Sequence, residues 1–146
     1  MKLYTSYFAQ LRKFPPNLIG LSTAHWNPKW RPMGKDKRGV ICVDCPPFKP
    51  GIKCDGLCNG SCNPKHPEDC AFLKVYKAQL DKINPTQFQN SLDKLATKIA
   101  TQENIHDIDF ALIVYETPSN PCSERVAIQQ WGKEYNIEIK EWQPNV

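Results

Sequence analysis

Six of the seven cysteines in this chain of 146 residues lie within the 29 positions between Cys42 and Cys70. The same stretch is rich in proline, glycine and lysine and has few large apolar side chains. It therefore cannot bury enough apolar surface to hold itself together, and it needs a chemical cross-link. Metal ions, iron–sulfur clusters and disulfides are the cross-links that cysteine provides.

The spacing of these cysteines favours a metal site. The turn "CVDC" supplies two thiolates at once, and the glycines that follow Cys54 and Cys58 let the backbone wrap round an ion. An iron–sulfur cluster is the alternative; disulfides suit neither an odd number of cysteines nor a reducing cytoplasm, although six paired cysteines and one free thiol remain open. We predict one zinc ion held by four of the six clustered residues, Cys42, Cys45, Cys54, Cys58, Cys62 and Cys70.

Outside this stretch, the hydrophobic patterns predict an α/β fold. Alternating or continuous apolar runs indicate strands at 2–8, 18–24, 109–116 and 137–142, and helical periodicity follows Pro67, Pro85 and Ser123. The order strand, helix, strand at the end of the chain implies parallel strands. We predict a single domain, 1–146, with a small three-layer, open, mainly parallel (Rossmann-like) sheet and a cysteine-rich, metal-stapled insertion at 25–67.

The end of the strand "DFALIVYE" is the best candidate for a functional site. Glu116 closes the strand, and Cys122, Ser123 and Arg125 stand where the next helix begins. Free N–H groups at a helix start attract anions and favour a thiolate, and an arginine adds a bidentate contact. We predict an anion site at Ser123 and Arg125, with Cys122 as nucleophile or polar wall and Glu116 as base or hydroxyl acceptor.

Residues after the other strands are expected at the same edge of the sheet. Ser22 and His25 follow the second strand, His25 as an acid or base and Ser22 as a ligand contact. Trp26 offers a flat wall for a base, and Tyr7, at the end of the first strand, is a further candidate ligand contact. For all of these, capping or packing is the competing interpretation. Together they predict an enzyme or ligand-binding domain that acts on a phosphorylated, nucleotide-like molecule or on nucleic acid.

Several stretches of the chain resemble the domain-of-unknown-function family 488. They are "KLYTSYF", "WNPKW", "FLKVYKAQL" and the ending "ALIVYETPSNPCSERVAIQQW…IEIKEW". The resemblance implies an open α/β fold and a site in which a strand-ending Glu precedes a Cys-His-Arg helix start. Glu116, Cys122 and Arg125 match these positions, whereas "CSER" lacks the histidine. The cysteine-rich segment resembles that of a bacterial or phage subset of the family.

Charge and composition add a second functional class. The net charge of +4 is concentrated in residues 27–53. Two tryptophans lie near the basic residues Lys29, Arg31, Lys35, Lys37 and Arg38 in the sequence. The alternative function is therefore a non-catalytic, zinc-stapled module that binds protein, or binds nucleic acid weakly through phosphates. No apolar run approaches the length of a membrane span and no signal peptide is recognisable, so a cytoplasmic protein without membrane contact is expected.

Overall fold

The computed structural model describes residues 1–52 and 65–144. Six strands form one sheet with the order β3-β4-β2-β5-β1-β6, in which only the β3–β4 pair is antiparallel. The strands are β1 (Leu3–Tyr7), β2 (Leu18–Ser22), β3 (Gly34–Lys35), β4 (Ile41–Asp44), β5 (Asp109–Val114) and β6 (Ile139–Glu141). The prediction of a small α/β fold with a mainly parallel sheet is confirmed.

In the described part of the chain, three α-helices follow the cysteine-rich segment, and two of them begin at a capping side chain. They are α1 (Ala71–Leu80), α2 (Pro85–Glu103) and α3 (Glu124–Glu134). Asn84 caps α2 by accepting a hydrogen bond from the Gln87 amide, and Asn104 ends it in the left-handed conformation. Among the described residues, no helix is long and apolar enough to cross a membrane.

Alternating side chains of β5 divide the interior into two cores. Phe110, Leu112 and Val114 join the larger core, which contains the buried faces of all three α-helices. Ala111 and Ile113 point the other way, into a smaller core covered by the 3-10 helix Phe8–Lys13. The sheet is thus layered, but the described α-helices share one face and a single 3-10 turn supplies much of the other.

Strand β4 lies inside the stretch predicted as an insertion, and sequence reasoning missed it. Its pairing with β2 aligns Cys42 with Gly20, and Cys42 is fully buried. Only four residues long and bounded by turn-forming sequence, "ICVD" shows too little periodicity to be recognised as a strand. The sheet therefore extends into residues 25–67, whereas residues 53–64 of the cysteine-rich segment lie outside the described residues.

The connection through α3 determines where the functional edge lies. β5 and β6 are both parallel to β1 and flank it, so α3 crosses over the strand between them. The carboxyl ends of β1, β2 and β5 consequently meet at one edge, beside the first turn of α3. Ligands of open parallel sheets bind at such edges.

Close packing of α3 on β6 predicts a large effect of one methyl group. A Cβ at Gly132 would lie 2.6 Å from the Ile137 carbonyl oxygen and 2.8 Å from Ile139 Cδ1. Alanine is intrinsically favoured over glycine in a helix by about 1 kcal/mol, but this clash with backbone reverses the sign. We expect Gly132→Ala to lower the free energy of unfolding by about 1–3 kcal/mol in urea denaturation.

Gly51→Ala is the matched control for this prediction. A Cβ at Gly51 would meet only the end of the flexible Gln79 side chain, at 3.3 Å. We expect its unfolding free energy to stay within about 0.5 kcal/mol of the wild-type value. Equal effects of the two substitutions would contradict the proposed contact between α3 and β6.

Candidate functional site

A cavity of about 650 Å³ opens beside the carboxyl ends of β2 and β5. The structure brings four of the sequence-predicted site residues together there: His25, Trp26, Glu116 and Cys122. The other lining residues come from the β2 and β5 ends, the segment 50–52, the loop before α3, and the first turns of α1 and α3. They are Thr23, Ala24, Pro50, Gly51, Ile52, Phe72, Val114, Tyr115, Asn120 and Glu124.

Two carboxyl groups meet where α3 begins. Glu124 is the first residue of the helix, and the side chain of Glu116 is within hydrogen-bonding reach of it. Ser123 caps the helix by accepting a hydrogen bond from the Arg125 amide, and its hydroxyl donates to Glu116 Oε2 at 3.1 Å. The helix start therefore presents hydrogen-bond acceptors to the cavity.

The pKa of Glu124 is raised from 4.5 to about 7. Burial is the largest cause, and repulsion from Glu116 adds to it. Hydrogen bonding to the helix backbone and the nearby Arg125 charge act in the opposite direction, but they do not outweigh burial. At pH 7 the Glu124 carboxyl is consequently about half protonated.

Arg125 points away from the cavity, into a buried polar network. Its side chain is only 4% exposed, and its Nε donates to Glu141 Oε1 while Nη2 donates to the Glu116 carbonyl oxygen at 2.9 Å. Glu141 also accepts from Thr5 Oγ1 at 2.8 Å. The guanidinium lies 5.8 Å from the centre of the Tyr7 ring. The positive charge of Arg125, which was predicted to bind an anion, is thus neutralised by Glu141.

The loop after β2 forms the opposite wall. His25 Nε2 lies 2.6 Å from the Pro50 carbonyl oxygen, and the Tyr115 hydroxyl donates to the Trp26 carbonyl oxygen. The Trp26 side chain is 80% exposed although it borders the cavity. One face of this indole is therefore available to a ligand, which fits the predicted role of Trp26 as a flat wall.

Two predicted contact residues stand behind the cavity wall. Ser22 is fully buried, and its hydroxyl donates to Asn27 Oδ1 at 3.0 Å. The Tyr7 hydroxyl accepts from Gln10 Nε2 at 3.0 Å, and its ring packs beside Arg125. Neither residue borders the cavity, so their contacts are those of packing and loop support.

The three described cysteines of the predicted metal site do not converge. Cys42 belongs to the small core with Ala111, whereas Cys45 and Cys70 belong to the larger core on the helical side. Burial raises the pKa of Cys42 to about 11 and that of Cys45 to about 12. Cys54, Cys58 and Cys62 lie outside the described residues, so the zinc or iron–sulfur site stays a prediction.

One other group of potential ligands occurs among the described residues. The ligand atoms of His66, Glu68 and Asp69 lie within 4.8 Å of one another, and all three side chains are exposed. His66 Nδ1 lies 3.0 Å from Glu68 Oε1, so the contact between these two side chains explains why they lie close together without a metal. Exposed polar clusters of this kind are common without a metal.

Internal contacts use three of the five cations predicted to bind nucleic acid. Arg31 is 5% exposed and donates to the carbonyl oxygens of Pro32, Gly34 and Val40. The Arg38 guanidinium binds carbonyl oxygens at the end of the first 3-10 helix, and Lys35 pairs with Glu103 at 2.9 Å. Lys29 and Lys37 are exposed. Much of this positive charge therefore supports the loop between β2 and β4.

Sequence reasoning missed three residues that shape the cavity: Glu124, Asn120 and Phe72. A glutamate in the first turn of a helix is ordinarily explained by the helix dipole, so Glu124 gave no separate signal. With Glu116 beside it, it forms a pair that can both donate and accept a proton near neutral pH. The arrangement is suited to binding hydrogen-bond donors or to acid–base chemistry.

Comparison with known proteins adds nothing to this geometry. No family model, curated protein or solved structure matches the chain. The resemblance to family 488 consequently stays a prediction.

The raised pKa of Glu124 predicts a pH-dependent stability. The folded state binds this proton more tightly than the unfolded chain, so stability is lost as pH rises from about 4.5 to about 7 and is constant above. Glu124→Gln removes this loss. We expect the unfolding free energy of the variant, relative to wild type, to rise by up to about 1 kcal/mol per pH unit across that window in urea titrations.

Glu138→Gln is the control for this titration. Glu138 is exposed, and a hydrogen bond from Lys140 lowers its pKa below 4.5. Its contribution to stability is therefore lost as the pH falls below about 4.5, and it stays constant between pH 4.5 and 7. A difference between Glu124→Gln and wild type that does not change between pH 4.5 and 7 would refute the raised pKa of Glu124.

The placement of Cys42 predicts that it is not a metal ligand. Its side chain lies in the small core, so Cys42→Ala should leave the zinc or iron content of the purified protein at the wild-type level. Removing the buried sulfur should still lower the unfolding free energy by about 1 kcal/mol. Elemental analysis and denaturation measure the two effects separately, and loss of metal in this variant would contradict the placement.

Proposed function

We propose that the chain is a ligand-binding domain for a planar, nucleotide-like small molecule, whose base enters the cavity between Trp26 and the start of α3. The observation that carries this proposal is the Glu116–Glu124 carboxyl pair in a cavity with aromatic walls. Such a site favours a flat molecule with hydrogen-bond donors along one edge. The cavity volume of about 650 Å³ lies within the usual range of small-molecule sites.

The charges at the site favour the base over the phosphate as the group inside the cavity. Glu124 is about half ionised at neutral pH, and its negative charge repels an anion at the same point. The cation closest to the helix start, Arg125, is already paired with Glu141. The attraction of the helix N-terminus for anions is thereby offset, and a phosphate is better placed outside the cavity mouth.

The walls of the cavity provide the surfaces that a base requires. Trp26 and Tyr115 are exposed aromatic side chains at the mouth, and Phe72 is buried at 4% exposure deeper in the lining. Stacking of a base on an aromatic side chain contributes about 1–3 kcal/mol by alanine substitution. Cys122, at 9% exposure, serves in this proposal as a polar part of the wall.

Calorimetric titration with nucleosides and their monophosphates tests the proposal. We expect at least one nucleoside to bind, with no gain in affinity from the 5′-phosphate, because the cavity holds the base. Trp26→Ala should weaken that binding by about 10-fold to 100-fold through the loss of stacking. The exposed position of Trp26 means that this substitution should leave the thermal midpoint nearly unchanged.

Trp30→Ala is the matched control for the stacking effect. Trp30 is also an exposed tryptophan of the same loop, but it packs against Arg12 and does not border the cavity. Its substitution should leave nucleoside affinity unchanged. The proposal is wrong if no nucleoside binds the wild-type protein, or if both substitutions weaken binding equally.

A further inference from the structure

The polar groups that line the cavity include both acceptors and a donor, and they narrow the class of base, provided that the proposed function holds. Glu116 and Glu124 offer acceptors at the start of α3. Asn120 borders the same cavity, and its Oδ1 accepts a hydrogen bond from the Cys122 amide at 2.9 Å. The Asn120 side-chain NH₂ has no hydrogen-bond partner among the described residues, so it is available as a donor.

Glu116 is the better-fixed of the two acceptors. The Ser123 hydroxyl donates to its Oε2, and Arg125 Nη2 donates to its main-chain oxygen. Arg125 is itself held by the buried pair with Glu141. The position of the Glu116 carboxylate is thus determined by contacts outside the cavity, which is the preorganisation that a specific ligand contact needs.

We infer that the cavity selects a base with a guanine-type edge, which carries two neighbouring N–H donors followed by a carbonyl acceptor. The carboxylate accepts from the ring N–H and the exocyclic amino group, and the Asn120 NH₂ donates to the carbonyl oxygen. Carboxylates are well suited to accept two parallel N–H groups, and such charge-assisted bonds are stronger than neutral ones. Trp26 and Tyr115 flank the base at the cavity mouth.

The other common bases match a carboxylate and an amide donor less well. Adenine and cytosine each present one amino donor beside a ring acceptor, so a carboxylate would face a lone pair. Uracil places its ring N–H between two carbonyl oxygens, one of which would face the carboxylate. Unpaired polar groups in a site built to pair them are the main source of discrimination between similar ligands. Guanosine should therefore bind more tightly than the other nucleosides.

The experiment is a calorimetric comparison of guanosine, inosine, adenosine, cytidine and uridine with the wild-type protein, above the Glu124 pKa of about 7. Inosine keeps the ring N–H and the carbonyl but lacks the amino group, so it isolates one contact. We expect guanosine to bind at least about 10-fold more tightly than inosine and the rest. This comparison needs no variant and does not depend on mutant folding.

Variants then assign the contacts. Glu116→Gln keeps the shape of the side chain but replaces one acceptor oxygen with a donor, and it should lower guanosine affinity by at least about 10-fold. Asn120→Ala should weaken guanosine and inosine equally, because both carry the carbonyl oxygen. Glu134→Gln, an exposed substitution at the far end of α3 where Glu134 pairs with Lys77, should change neither.

The outcomes separate this inference from the proposed function. Equal binding of all five nucleosides, or a preference for adenosine, would overturn the guanine-type edge and leave the nucleoside-binding function standing. Guanosine selectivity that persists unchanged in Glu116→Gln would overturn the role of the carboxyl pair. Absence of binding by every nucleoside would overturn the proposed function, and this inference with it.

Discussion

A buried ion pair between Arg125 and Glu141 joins the elements that build the functional edge. Arg125 lies in the first turn of α3, and Glu141 ends β6. Through Thr5 and the Glu116 main chain, the same network reaches β1 and the loop after β5. Removing one partner of a buried pair leaves an unpaired charge, which costs more than the pair itself contributes. The network therefore specifies how α3 begins, and with it the positions of Ser123, Glu116 and Glu124.

Packing explains why this network can exist in an apolar core. β5 is buried along almost its whole length, and its residues Phe110, Leu112 and Val114 pack in one core with the α-helices. Burial fixes the register of the strand, since a shift by one residue would exchange the two faces. Because the register of the strand is fixed, Glu116, which follows its carboxyl end, has a defined position in the cavity wall. The apolar packing of β5 and the polar network of Arg125 thus both determine where Glu116 lies.

The features that sequence alone could predict are those with a local signal. The apolar run of β5 and the periodic stripes of the three helices predict elements that the structure contains, and Glu116 and Cys122 are indeed brought to a cavity with His25. β4 gave no such signal, because four residues among prolines and cysteines have no measurable period. The pairing of Arg125 was equally invisible, since Glu141 is 16 residues further along the chain. Long-range polar partners are decided by tertiary structure, which the pattern of one helix does not contain.

The start of α3 shows why a helix N-terminus alone does not define an anion site. The dipole of the helix and its free amides attract negative charge over about one turn. Here the protein's own carboxyl groups already occupy that field: Glu124 is hydrogen-bonded to the helix backbone, and Glu116 lies beside it. Burial raises the pKa of Glu124 to about 7, even though its hydrogen bond to the helix backbone favours ionisation. The carboxyl side chains, rather than the helix, thus determine the charge at this end of the cavity, and this is why the proposed ligand is a hydrogen-bond donor rather than a phosphate.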